Sequence, residues 1–249
     1  MSDSFANLCR LTGQAVNHFE MISEGDRILV GVSGGVDSMM LMQLLVRLQQ
    51  RAPIRFELFA AVVDEGFSQI DHLPLKKYAA EQKWSFKVLE TPIAELVREK
   101  GAEARPCSLC SRLRRGFLHG YADELNCNKI ALGHHRDDLC VTFLMNLFRG
   151  AGLKTMAPNV SADAGSKRVI RPLCYAPKSL VELAAEGFYF PPMNRCDYAE
   201  QLKTTGDRAK AERLLIELES RFPGAGKQML RSMSDLRPDH LLDPRFYNL

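Results

Sequence analysis

At 249 residues the chain is long enough for one large domain or two small ones, and 46% hydrophobic with 25% charged residues is the composition of a globular protein with a sizeable core. Charge interrupts every apolar run well before the roughly 18 residues a membrane span needs, and residues 1–7 lack the basic-then-apolar order of a secretory signal, so no membrane partner and a cytoplasmic location are expected. The net charge of +3 permits a nucleic-acid partner without arguing for one, and seven cysteines, an odd number with no export signal, favour thiol or metal chemistry over a disulfide framework.

Phe5, Leu8, Ala15, Phe19 and Ile22 recur at helical spacing and predict a leading amphipathic helix over 5–22. A branched apolar strand over 28–32 then runs into Ser33-Gly34-Gly35-Val36-Asp37-Ser38, with a helix over 37–51 directly after it. Two glycines at a strand-to-helix turn let backbone approach a ligand closely. The helix start turns its leading amides and positive dipole end into the same space, which suits an anion such as pyrophosphate. Ser33 and Ser38 add hydroxyls, and Asp37 has the chemistry to orient an amide or hold a metal ion. The familiar P-loop ends in Gly-Lys-Ser/Thr after a longer loop, and that lysine is missing here. A plain glycine turn is the bland alternative.

A second strand, Phe56–Val63, stops at Asp64-Glu65-Gly66-Phe67. Helix is expected over 73–84, strand over 86–89, helix over 111–126, strand over 129–132 and helix over 135–148. Residues 151–171, rich in Gly, Ala, Ser and Asp, read as a long loop, although 169–173 is apolar and strand-like. Beyond Pro177 only helical patterns remain, over 179–186, 207–221 and 227–233. Strands alternating with helices of this length predict an α/β fold with a doubly wound parallel sheet and helical extensions at both ends. The chain reads as a single domain over 1–249: a leading helix (1–24), an α/β core (25–176) and a helical region (177–249). In such sheets ligands bind beyond the carboxyl ends of the strands, where strand order reverses.

Cys107-Ser-Leu-Cys110 stands just before a predicted helix whose dipole favours thiolate. By itself the pair fits half a zinc site, part of an iron–sulfur site, a redox pair or coincidence. Cys9, Cys127 and Cys140 lie in or beside helical patterns and Cys174 after a strand-like one, all positions for small inert hydrophobes, whereas packing explains Cys196, in a loop, less well. Between 104 and 122 stand four arginines and no acidic residue. Arg112 and Arg115 project away from the apolar stripe, while Arg114 runs along its edge and needs either a phosphate, a carboxylate or a snorkelling route to water. Finally, a strand ends at Gly133, and His134, His135, Asp137 and Asp138 crowd the next helix start. First-turn aspartates complement a helix dipole, and beside a triphosphate they could equally hold Mg²⁺ or accept a proton.

The Ser33-Gly34-Gly35-Val36-Asp37-Ser38 loop resembles the SGGxDS signature of the PP-loop ATP pyrophosphatases. Joined by the runs over 107–116, 129–138 and 169–173, in that order, it resembles the TtcA family, the tRNA 2-thiocytidine synthetases, over roughly 25–196. The resemblance implies a Rossmann-like PP-loop fold and a tRNA sulfurtransferase that forms AMP and pyrophosphate. It implies ATP and Mg²⁺ at Ser33, Gly34, Gly35, Val36, Asp37 and Ser38, flanked by Val63, Asp64, Gly133 and His134, with Asp37, Arg114, Asp137 and Asp138 as the catalytic set. It also implies a 4Fe-4S cluster on Cys107, Cys110 and Cys196, whose fourth iron takes up sulfur. C2 of an anticodon-loop cytidine in tRNA would be adenylated and the oxygen replaced by sulfur. A sulfur donor (a cysteine desulfurase persulfide or sulfide) and a homodimer come with the same resemblance. The chain departs from the family in two places: Val36 replaces a lysine, for which Arg114 or Arg171 would substitute, and Met193-Asn-Arg-Cys196 stands where a second C-x-x-C is common. The competing readings are an ATP-dependent ligase or amidotransferase on the same fold, which would need neither Cys107 nor Cys110, and a non-enzymatic RNA- or metal-binding module with a degenerate nucleotide site.

Overall fold

The structure, a computed structural model, describes residues 2–67, 70–102, 106–162, 167–193 and 206–246. Its strands are β1 (Arg27–Gly31), β2 (Glu57–Asp64), β3 (Phe86–Glu90), β4 (Lys129–Ala131), β5 (Asn159–Ser161) and β6 (Arg168–Ile170). They form one sheet in the order β3-β2-β1-β4-β6-β5. All neighbours are parallel except β5, which pairs antiparallel with β6. The expected loop over 151–171 therefore contains two strands, and the sheet is parallel with one antiparallel edge. Each of those strands has three residues, too few to display a period, and they are stitched through Val160 opposite Val169.

The helices are α1 (Asp3–His18), α2 (Val36–Arg51), α3 (Leu73–Glu81), α4 (Ile93–Glu99), α5 (Pro106–Glu124), α6 (Arg136–Phe148), α7 (Lys178–Ala185), α8 (Asp207–Arg221) and α9 (Ala225–Ser234). Three of them stop earlier than periodicity predicts, for one shared reason. Two residues past their ends, Glu20, Lys83 and Asn126 take positive φ of 48°, 57° and 51°. The next amide then bonds five residues back, from Met21 to Val16, Trp84 to Ala79 and Cys127 to Ala122 at 2.7–2.9 Å. This closure tucks an apolar side chain back onto the helix. Met21, Trp84 and Cys127 are accordingly buried, and the sequence pattern reads straight through the stop.

The sheet is buried on both faces, as a doubly wound core requires. Along β1, Ile28 and Val30 enter the cluster beneath α1, α2, α3 and α7, while Leu29 enters the opposite one beneath α4 and α5. Along β2, Ala60 and Val62 face the first cluster, and Ala61 and Val63 the second. Full burial of each large branched side chain contributes roughly 1.5–3 kcal/mol. On the far side, α8 packs on α6 through Ala211 and Leu215 against Cys140, Val141 and Leu144. No helix among the described residues is long and apolar enough to cross a membrane. Strand order reverses between β1 and β4, so the crevice of the fold opens at their carboxyl ends.

Candidate functional site at the carboxyl edge of the sheet

The turn from β1 into α2 is held by its own serines. Ser38 Oγ accepts from the Ser33 amide at 3.0 Å, donates to the Gly35 carbonyl at 2.9 Å and lies 3.1 Å from Ser33 Oγ. Gly34 has φ +77°, a backbone conformation side chains resist, and a β-carbon there would stand 2.5 Å from Cγ of Met193. Gly35 caps α2 without any side-chain bond, leaving the positive end of the helix dipole uncovered by a carboxylate cap. Val36 opens the helix with a partly exposed apolar side chain. Asp37 follows. Burial pushes its carboxyl pKa up, Asp138 and Glu182 push the same way, and the charges of His135 and Lys178 pull it down.

The turn from β4 into α6 leans directly on that loop. A β-carbon at Gly133 would stand 3.1 Å from the Asp37 carbonyl carbon and oxygen and from the Ser38 nitrogen. His134 is held neutral because burial lowers its pKa to about 4, with Arg171 adding to the effect. Its Nδ1 accepts from Arg171 Nε at 3.3 Å, which leaves the proton on Nε2, and Arg171 Nη1 donates to the Ala157 carbonyl at 2.5 Å. Asp138 accepts from the His135 amide at 3.0 Å and pairs with Arg208. Asp137 accepts from Arg136 Nε at 3.0 Å and from the Lys178 amide, the first of α7, at 3.1 Å. Both aspartates thus fasten helix starts, the bland role, as well as standing at the carboxyl edge.

The end of β2 supplies the third wall. Val63 is buried, and Asp64 accepts from the Gly66 amide at 3.0 Å and faces His72 Nε2 at 3.3 Å. Glu65 pairs with Arg114 at 3.0 Å, so the partner the arginine needs is a carboxylate, and its guanidinium is half-exposed rather than buried. Arg112 and Arg115 are exposed, as expected.

Cys107 and Cys110 lie inside the first turns of α5, not ahead of it: Pro106, pre-set for a helical start, begins the helix five residues earlier than the periodicity does. Because α5 feeds the amino end of β4, its start lies at the carboxyl edge. Both thiols are partly buried, Cys110 against the apolar cluster that includes Val63, Phe67 and Leu132. Cys196 and Arg105 lie outside the described residues. Met193, three positions before Cys196, rests on Gly34. Among the described residues no third His, Cys, Asp or Glu forms a metal-holding group with the pair. The other thiols behave as packing groups, with burial pushing Cys127 up to about 11 and Cys140 and Cys174 to about 12.

Sequence reasoning missed Glu65, Lys178, Met193 and Arg208 at this edge. Only Lys178 left a local signal, a lysine directly after Pro177 at a helix start, and the others are joined to the site by contacts across 49 to 159 residues of chain.

Residues 8–189 match the family described as PP-loop domain. The tRNA-cytidine(32) 2-sulfurtransferase of Sorangium cellulosum (strain So ce56) is 43% identical over 241 residues, covering 95% of this chain and 83% of the relative. That of Janthinobacterium sp. (strain Marseille) is 41% identical over 244 residues, covering 96% and 75%. Among solved structures, the U34-tRNA thiolase NcsA from Methanococcus maripaludis with its 4Fe-4S cluster superposes with a TM-score of 0.74 at 22% identity, covering 96% of this chain and 80% of that one. The NH3-dependent NAD synthetase from Campylobacter jejuni shares the fold more distantly, with a TM-score of 0.51 at 15% identity over 98% of this chain and 100% of that one.

Proposed function

The chain belongs to the PP-loop domain family, among the tRNA-cytidine(32) 2-sulfurtransferases, and on that premise we propose how its own residues carry out ATP-dependent thiolation of tRNA. The supporting observation is that three segments lie at one sheet edge: the diglycine turn, the Gly133 turn pressed against it, and the start of the helix that carries Cys107 and Cys110. ATP binds with its phosphates over Ser33, Gly34, Gly35, Val36, Asp37 and Ser38, walled by Val63, Asp64, Gly133 and His134. Loop amides and the α2 dipole stabilise the charge that collects on departing pyrophosphate. Asp37 holds Mg²⁺, since a carboxyl pushed up by burial gains most from a cation beside it. Asp138 keeps the start of α6 seated and Asp137 that of α7, Asp138 also shapes the field at Asp37, and Arg114 is steered by Glu65.

Attack of the C2 oxygen of cytidine 32 on the α-phosphate turns a poor leaving group into a phosphoester that departs as AMP. The half-buried setting of Cys107 and Cys110 fits a soft metal group, for which Cys196 is the third ligand. A 4Fe-4S cluster, if held by these cysteines, would supply the sulfur that replaces the C2 oxygen as AMP leaves. The sulfur donor is a desulfurase persulfide or sulfide, and the chain works in the cytoplasm, as one domain over 1–249, in a homodimer.

Anaerobically purified Cys107→Ser and Cys110→Ser proteins should lose iron and visible absorbance while keeping their fold. Wild type should release AMP from ATP in the presence of tRNA carrying cytidine 32. Unchanged iron content would refute the ligand assignment. Full activity without the thiols would point to a ligase on the same fold, and a lack of any nucleotide turnover to a binding module.

A further inference from the structure

The loop over 33–38 has no side-chain cation of its own, and its one ionisable group is the carboxylate of Asp37. A triphosphate brings up to four negative charges to that place, so a cation must come from another element. Most cations around the loop are already engaged. Arg136 lies between Asp137 at 3.0 Å and Glu219 at 3.2 Å, and Arg208 pairs with Asp138. Arg114 pairs with Glu65 at 3.0 Å, and Arg171 spans His134 and the Ala157 carbonyl. The two substitutes expected from sequence, Arg114 and Arg171, are both among those engaged.

Lys178 differs from all of these. Its backbone is fixed: the amide donates to Asp137 at 3.1 Å, and the preceding Ala176 carbonyl accepts from the Arg136 amide at 2.9 Å. Its ammonium is not: among the described residues Nζ has a single long ion-pair contact, 3.8 Å from Glu182, between side chains 55% and 58% exposed. Such a long i,i+4 surface pair is weak and yields readily to a better anion. The ammonium also stands where its charge acts on Asp37. From these contacts we propose that Lys178, reaching over from α7, is the cation that grips the β- and γ-phosphates of ATP above the loop. The inference rests on the reading of the loop as the ATP site. Lys178 exchanges Glu182 for phosphate when nucleotide arrives, and the fixed start of α7 sets its reach.

Calorimetry with Mg²⁺ and α,β-methylene ATP, set against AMP, tests it on wild type, Lys178→Gln and the double variant Lys178→Gln/Val36→Lys. Losing one charge-assisted phosphate contact should weaken the triphosphate about tenfold or more. AMP, which lacks the gripped phosphates, should change less than twofold, and Val36→Lys should restore the triphosphate by supplying a cation from the loop itself. Equal triphosphate affinity in wild type and Lys178→Gln, or parallel loss of both ligands, would overturn the assignment while leaving the loop as the ATP site. Failure of wild type to bind the triphosphate would overturn the ATP reading first, and the role of Lys178 with it.

Discussion

The two edges of the sheet follow opposite rules. At the amino edge, Asp26 is buried yet fully satisfied: it accepts from Lys129 Nζ at 2.6 Å, Asn128 Nδ2 at 2.7 Å and the Ser23 amide at 2.6 Å. Asn128 in turn accepts from the Arg27 amide at 2.9 Å, so the starts of β1 and β4 are tied together. At the carboxyl edge, burial leaves groups out of balance. The Asp37 carboxyl is pushed up, His134 is held neutral, and the buried Nδ1 atoms of His72 and His135 have no hydrogen-bond partner among the described residues. A closed polar network specifies and holds the fold. An edge whose charges await a counter-charge is one shaped for a ligand.

The contrast is sharpest when one partner is removed from the closed network. Lys129→Met should cost about 3–5 kcal/mol, because it strands the Asp26 carboxylate in the core. Denaturant unfolding reads that loss. The folded fraction should bind nucleotide as wild type does, since Lys129 opens β4 at the end opposite the loop. A loss under 1 kcal/mol, or a matching fall in nucleotide affinity, would erase the distinction between the edges.

At the carboxyl edge the expected effect is smaller and depends on pH. His134 takes up its proton near pH 4 in the folded chain against an ordinary value of 6.5. Above 6.5 both states are neutral and the contribution to stability is complete. As pH falls from 6.5 to about 4, the unfolded chain binds a proton the folded one refuses, and stability drops by up to about 3 kcal/mol. The difference in unfolding free energy between wild type and His134→Gln, followed across that window, isolates this group. A difference that stays flat would place His134 in water.

The diglycine loop was legible because everything that makes it, glycines, serines and helix start, is contiguous in sequence. The core strands were legible for the same reason, since burial on both faces leaves runs such as Ile28, Leu29 and Val30 unbroken. Short pieces were not. The seven-residue α4 and the three-residue, mostly polar β5 left no pattern to read, and of β6 only the apolar run from Val169 showed. Charge partners were opaque too. Nothing near Arg114 announces Glu65, and nothing near Asp138 announces Arg208, because the sheet and the packing of α8 on α6 join them.

Glycines give the finest test of the contrast, since two of them have opposite surroundings. An alanine β-carbon at Gly133 meets the backbone of Asp37 and Ser38 at 3.1 Å, and neither a peptide group nor a helix start can rotate aside as a side chain would. The β4 turn and the loop must therefore part by a few tenths of an ångström, at a cost of about 1–3 kcal/mol. That shift carries the loop amides away from the phosphates, so Gly133→Ala should weaken nucleotide binding by more than it weakens the fold. Gly116, on the exposed side of α5, has nothing within 4 Å of an added β-carbon. There alanine should stabilise the helix by about 0.5–1 kcal/mol and leave nucleotide affinity alone. Measured side by side by calorimetry and thermal unfolding, the pair separates contact at the loop from a general response of the sheet to bulk. Equal effects at both positions would mean that the two turns do not depend on touching.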